Sequence, residues 1–258
     1  MKRTVDILIL SDTHLGTFGS RAKTLLKYLN TIEPKMLIIN GDLIDIWQFT
    51  RLYFPKAHLD VLRRIMDIIR SGIPVYYLTG NHDNLLRKFT PLYLGSFQLL
   101  DELELEIDGK RTWIIHGDKY DKTIKARLPA ILGGTAYHCL IIADRLFNRF
   151  TSIFGIRPIR ISKGLKDFSK KMAKKVNDFE QEALNVAIEN QYDSLICGHV
   201  HRYQMRTVTN EHGSIFYLNS GDWVENASSL EFNNGKWRIF RYEVDFENTE
   251  TEASKVNV

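Results

Sequence analysis

The stretch Pro74-Val75-Tyr76-Tyr77-Leu78-Thr79-Gly80-Asn81-His82-Asp83 sets the frame for the rest of the chain. Its first six residues are apolar and rich in aromatic and β-branched side chains, and they read as a buried strand. Gly80-Asn81-His82-Asp83 then falls where that strand ends and the chain turns. Asn81 brings an amide oxygen, a hard ligand. His82 carries a proton near neutral pH, and Asp83 is placed to hold that imidazole in one orientation. Gly80 lets the backbone approach closely.

Working outward, the same arrangement recurs. Val5–Leu10 (VDILIL) ends in Ser11-Asp12-Thr13-His14-Leu15-Gly16, and Met36–Asn40 (MLIIN) ends in Gly41-Asp42-Leu43-Ile44-Asp45. Residues 20–31 place Ala22, Leu25, Leu26 and Leu29 at helical spacing behind Ser20, a candidate N-cap. Residues 56–71 predict an amphipathic helix whose apolar face is Leu59, Leu62, Ile65, Met66 and Ile69. Strand, helix, strand, helix, strand predicts a layered α/β fold. Further on, residues 97–107 and 111–115 flank Asp108-Gly109, a hairpin signal, and the second strand delivers His116-Gly117-Asp118. Helices are predicted over 124–132, 136–150 and 163–190. Ser194–Cys197 resumes the sheet and ends in Gly198-His199-Val200-His201, and strands follow at 203–209, 214–219, 227–232 and 236–243. The expected organisation is one domain over 1–246, with a helical insertion at about 121–190 and a polar, disordered tail at 247–258.

The chain's 258 residues, 44% of them hydrophobic, suffice for one large core. Lys2-Arg3 leads directly into a strand rather than a secretory apolar segment, and no apolar run reaches the ~20 residues of a membrane span. Cys139 and Cys197 suggest no disulfide framework, so a cytoplasmic protein is expected. Residues 121–175 hold 13 Lys/Arg against three Asp and no Glu, while the remainder of the chain is net acidic. That segment is expected to face something anionic: nucleic acid, a membrane surface or a phosphorylated ligand.

Five strand ends thus carry Asp12/His14, Asp42, Asn81/His82, His116 and His199/His201. In D-x-H and H-x-H, residues two apart in extended chain point to one side, so each pair can aim at one ion. Seven candidate ligands (Asp12, His14, Asp42, Asn81, His116, His199, His201) exceed one ion's needs and suit two ions with a bridging carboxylate. Mixed imidazole and oxygen donors favour Mn, Fe or Zn over Mg, Ca or Cu(I), with Mn first. Two such ions are the apparatus of phosphoester hydrolysis. Taken singly, each motif also reads as an ordinary turn; their order at successive strand ends argues for a shared site. His58, His138 and His212 have no such companions and read as surface or packing residues. Asp118 reads as a turn cap, and Asp45 as either a support behind the ligands or a helix N-terminal residue.

D-x-H, G-D, G-N-H-D, H-G-D and G-H-x-H, in this order, resemble the calcineurin-like metallophosphoesterase superfamily. That resemblance implies a four-layer αββα sandwich, here with a helical lid insertion. It also implies that Asp12, His14, Asp42 and His201 hold one metal and Asp42, Asn81, His116 and His199 the other. His82 would then stabilise the transition state or protonate the leaving group, oriented by Asp83.

Two further features are similar to the UDP-2,3-diacylglucosamine diphosphatase branch of lipid A synthesis. One is the long basic insertion with its apolar residues (Leu128–Ile142, Phe147, Phe150, Phe154), together with Asp121 and Asn177-Asp178-Phe179. The other is Tyr217–Glu225 (YLNSGDWVE). The resemblance implies an enzyme at the inner face of the cytoplasmic membrane that releases UMP from a nucleotide-linked lipid. Asn81, His82, Asp121, Lys171, Lys174 and Lys175 are the expected substrate contacts. The best-known enzymes of that branch read Gly-Asn-Arg-Asp where this chain keeps His82. A nuclease or phosphodiesterase, with the basic insertion as a phosphate track, is the second reading. A non-catalytic scaffold like the retromer subunit of this fold is the third. Leu and Ile beside the insertion's cations favour acyl chains over nucleic acid, and the complete ligand set favours an enzyme over a scaffold.

Overall fold

The computed structural model describes residues 2–47, 53–121 and 179–246. The chain divides into two compact units, 1–117 with 184–258, and 118–183. The helices predicted over 124–132 and 136–150, most of that over 163–190, Lys171, Lys174, Lys175, His138 and the tail all lie outside the described residues. Of the second unit, Asp118–Tyr120 forms a short 3-10 turn in which the Asp121 amide donates to the Asp118 carbonyl at 3.1 Å, and residues 179–183 are helical.

The first unit begins with β1 (Arg3–Leu10), α1 (Ala22–Thr31), β2 (Ile32–Asn40), α2 (Lys56–Arg70) and β3 (Val75–Leu78). These are two successive strand–helix–strand crossovers, and they place β1, β2 and β3 parallel and adjacent. β4 (Leu92–Leu94) and β5 (Phe97–Leu100) extend one edge of the sheet. β11 (Ser228–Asn233) and β12 (Lys236–Arg241) extend the other, giving seven strands in all. β6 (Glu102–Ile107), β7 (Lys110–Ile115), β8 (Ser194–Cys197), β9 (Gln204–Asn210) and β10 (Gly213–Asn219) make a second, five-stranded sheet in the order β6-β7-β8-β10-β9.

Side-chain alternation along the strands separates the layers. Ile7, Ile9, Ile38 and Leu78 from the first sheet meet Ile114, Ile196 and Leu218 from the second in one buried cluster. Leu8, Leu10, Leu37 and Ile39 point the other way, into a second cluster with Leu25 and Leu29 of α1 and Val61, Ile65 and Ile68 of α2. On the five-stranded sheet, residues 184–189 are helical, with Leu184, Ala187 and Ile188 buried. Helix, sheet, sheet and helix are the layers of the predicted sandwich.

Several local expectations change. Residues 97–107 are not one strand: the chain leaves the first sheet at Leu100 and enters the second at Glu102. α1 begins behind Arg21, and Ser20 Oγ donates to the Thr13 carbonyl at 2.7 Å instead of capping the helix. α2 buries His58, Val61, Ile65 and Ile68, while Leu59 and Met66 stand 41% and 54% exposed. Ile65 is buried and Leu62 and Ile69 pack against the core as predicted, while the rest of the buried stripe shifts to His58, Val61 and Ile68. His58 is no surface residue: its Nδ1 accepts the Gly16 amide at 2.8 Å.

Register decides where the polar strand ends fall. Leu10 sits opposite Ile39, and Asn40 opposite Leu78. In the second sheet Ile114 sits opposite Ile196, and Cys197 opposite Asn219. The loops after β1, β2 and β3 leave one edge of their sheet, and those after β7, β8 and β10 leave one edge of theirs. The carboxyl ends of parallel strands are where sites form in sheets of this kind.

Candidate metal centre

The carboxylates of Asp12 and Asp42 and the imidazoles of His14, His116 and His201 converge on one buried space. Asp12 Oδ1 lies 3.3 Å from His201 Nε2 and 3.9 Å from His14 Nε2. Asp42 Oδ2 lies 3.3 Å from His116 Nε2 and 3.9 Å from His14 Nε2. His14 Nε2 and His201 Nε2 are 3.1 Å apart. His199 meets His116 edge to face at 5.3 Å between ring centres, and its backbone amide donates to Asp12 Oδ2 at 3.0 Å. Asn81 lies next to His82, whose amide donates to Asp42 Oδ1 at 2.8 Å.

The backbone is bent hard to achieve this. Asp12, His14, Asp42, His199 and His201 all have positive φ, between 46° and 70°. That left-handed conformation costs a non-glycine residue roughly 1–2 kcal/mol and needs support from its surroundings. Two glycines make room. A Cβ on Gly80 would overlap the Asp42 carboxylate, and one on Gly41, itself at φ +81°, would overlap the His116 ring. His116 Nδ1–H donates to the Asn40 carbonyl at 2.8 Å, which leaves Nε2 as the atom that can offer a lone pair to a cation once its proton is gone.

Charge and burial suit cations. Asp12 Oδ1 and Asn81 Oδ1 are buried and accept no hydrogen bond among the described residues. Burial pushes the Asp12 carboxyl up, but His116 and His201 outweigh it and hold it at about 2. Burial likewise opposes ionisation of Asp42, and His116, His82 and His14 take it well below the carboxylate range. Burial would lower His201, yet the Asp12 carboxylate 3.3 Å away raises it to about 9. These carboxylates are ionised and matched against positive partners, an arrangement that divalent ions fit by displacing the imidazole protons.

The expected partnership between Asp83 and His82 is corrected. Asp83 Oδ2 accepts the Leu43 amide at 3.0 Å and the Tyr77 hydroxyl at 2.6 Å, and Oδ1 accepts the Gly80 amide at 2.6 Å. Its side chain turns inward and ties the ends of β2 and β3 together. Burial and the nearby Asp42 charge raise it to about 6. His82 Nδ1 instead faces Asp45 Oδ2 at 2.9 Å. Asp45 was legible only as one of two alternatives; its spacing three residues after Asp42 in G-D-x-x-D is the signal that finds it. Trp47, two residues on, lies 4.8 Å from the His82 ring and is 46% exposed. His212 is exposed, beside Glu211, as expected.

A family model described as calcineurin-like phosphoesterase matches residues 5–203. The UDP-2,3-diacylglucosamine hydrolase of Vibrio atlanticus (strain LGP32) is 26% identical over 204 residues, which are 78% of this chain and 81% of that protein. That of Blochmanniella pennsylvanica (strain BPEN) is 26% identical over 236 residues, 89% of this chain and 92% of that one. That of Escherichia coli O81 (strain ED1a) is 28% identical over 198 residues, 76% and 80% of the two chains. With the family model spanning most of its length and the strand-end clusters meeting in one space, this chain belongs to the calcineurin-like phosphoesterase family and is a metal-dependent phosphoesterase.

Proposed function

We propose that the chain hydrolyses the pyrophosphate bond of a nucleotide-linked lipid of the UDP-2,3-diacylglucosamine kind, releasing UMP and an acylated sugar phosphate. The observation that carries the reading is similarity over most of the chain to hydrolases of that name, together with the gathering of Asp12, His14, Asp42, His116 and His201 at one place. Asp12, His14, Asp42 and His201 would hold one divalent ion and Asp42, Asn81, His116 and His199 the other, with Asp42 shared. The mixed imidazole and oxygen donors suit Mn, Fe or Zn, and Mn is the ion we propose. Such a pair, when bound, polarises phosphoryl oxygens and makes hydroxide available at neutral pH.

The chain's own residues supply the rest. His82, one-fifth exposed in its side chain and beside Asp45 through Nδ1, would serve as the proton donor to the leaving phosphate through Nε2. Burial lowers the His82 pKa, and the Asp42 and Asp45 carboxylates more than offset this and raise it above the ordinary value. The basic segment 121–175 would meet anionic headgroups and its apolar residues the acyl chains, which makes the protein peripheral at the cytoplasmic face of a membrane. No helix among the described residues is long and apolar enough to cross one.

The test compares Mn²⁺-supported cleavage of three substrates: diacylated UDP-glucosamine, bare UDP-glucosamine and a single-stranded oligonucleotide. The proposal expects the diacyl compound to be cleaved fastest. Faster cleavage of either other substrate would remove the lipid assignment and leave the phosphoesterase.

A further inference from the structure

The loop Asn219–Asn226 (NSGDWVEN) contributes no ligand candidate, yet it grips the backbone beside three of them. Asn219 Nδ2 donates to the Gly198 carbonyl at 2.9 Å, immediately before His199. Asn226 Nδ2 donates to the His201 carbonyl at 2.8 Å. The Trp223 amide donates to the Asp12 carbonyl at 3.0 Å. Ser11, next to Asp12, meets Ser220 Oγ at 2.6 Å and donates to the Gly221 carbonyl at 2.9 Å.

The loop is itself held by internal hydrogen bonds. Asp222 is fully buried, and its Oδ1 accepts the amides of Val224, Glu225 and Asn226, while its Oδ2 accepts the Asn226 side-chain amide. Asn226 is thereby oriented before it reaches His201. Trp223, also fully buried, stacks on Tyr28 at 5.3 Å and 27° and roots the loop in the core. The three residues it supports, Asp12, His199 and His201, have φ of +51°, +70° and +50°. Left-handed backbone persists at such residues only when neighbours over-determine it, and this loop supplies that constraint from outside the ligand set.

We infer that Asn219–Asn226 is the positioning element of the metal centre, with Asn226, oriented by Asp222, as the residue that fixes His201 for its ion. The inference rests on the ligand assignment proposed above. It gives the Gly221-Asp222-Trp223 motif a role that does not depend on which phosphoester is cleaved. Partners behind the ligands matter because a ligand that must be reordered on binding loses affinity; removing one commonly costs roughly 10–100-fold.

Calorimetric titration of Mn²⁺ into the full-length, metal-free chain tests this. Wild type is expected to bind two ions. Asn226→Ala is expected to weaken one of the two binding steps about 10–100-fold and leave the other unchanged, with excess Mn²⁺ restoring turnover. Ile107→Ala, a core change at the hairpin end of the sandwich, should lower the thermal midpoint and move neither step. If Asn226→Ala does not fold, Asn226→Ser keeps a shorter donor and should show the same one-step loss, smaller in size. Both steps unchanged, or both weakened alike, in whichever variant folds overturns the inference. A wild-type chain that binds no Mn²⁺ overturns the metal assignment and this inference with it.

Discussion

Asp45 Oδ2 lies 2.9 Å from His82 Nδ1, and the same oxygen lies 3.4 Å from His14 Nδ1. One buried carboxylate therefore steadies both the proposed proton donor and a proposed metal ligand. Burial opposes its charge, and contacts with the two imidazoles overcome that and keep Asp45 ionised. Asp45→Asn retains the shape and removes the charge. We expect kcat to fall about 10- to 100-fold on alkyl phosphodiesters, part of what a positioned acid contributes. Steady-state kinetics of the two proteins checks this, and an unchanged kcat would leave Asp45 without a role.

His82→Ala should cost about 10²–10⁴-fold in kcat on the same esters. The loss should shrink on p-nitrophenyl esters, whose leaving group departs without a proton. Equal losses on both would assign His82 to charge stabilisation alone.

Glu231 carries a different load. Its fully buried carboxylate joins Arg3 (2.8 and 2.6 Å), Arg238 (2.7 Å) and the Tyr28 hydroxyl (2.6 Å), linking β1, β11, β12 and α1. Both arginines are half-exposed and can rehydrate, so the loss falls below that of a fully buried pair. Glu231→Leu should destabilise by about 1–3 kcal/mol, chiefly by stranding the Tyr28 hydroxyl. At roughly 2–4 °C per kcal/mol in a chain of this size, calorimetry should resolve it. Glu231→Gln, which keeps an acceptor for Tyr28, should lose less.

The pH dependence of stability has a marker outside the metal centre. Burial lowers the pKa of His58 below its ordinary 6.5, and the Gly16 amide needs its Nδ1 unprotonated. Between the folded and unfolded values the unfolded chain binds more protons. The contribution is thus complete above pH 6.5 and is lost as pH falls toward the folded value. Urea midpoints at successive pH values should decline through this range, and less steeply in His58→Gln. Parallel curves would contradict the assignment.

Strand ends were legible because short apolar runs break sharply into polar clusters, and parallel pairing then brings those clusters to common edges. The break at Asp101 was not, because β5 and β6 read as one alternating run and nothing in that pattern marks a change of sheet. The buried face of α2 is only partly legible, because His58 counts as polar by type yet is buried with its Nδ1 bonded to the Gly16 amide. Sequence alone points to Asp83, the neighbour of His82, and not to Asp45. In the fold, the partner arrives from the end of β2, while Asp83 points into the core.

Asp42 is the residue proposed to be shared by two metal ions. Its carboxylate faces His116 at 3.3 Å on one side and His14 at 3.9 Å on the other, and a neutral amide there cannot bridge. Elemental analysis of metal bound per chain, after equilibration with Mn²⁺ and removal of free ion, is the direct measurement. The account predicts two ions in wild type and loss of both in Asp42→Asn, with His201→Ala losing mainly one. Two ions retained by Asp42→Asn would contradict it.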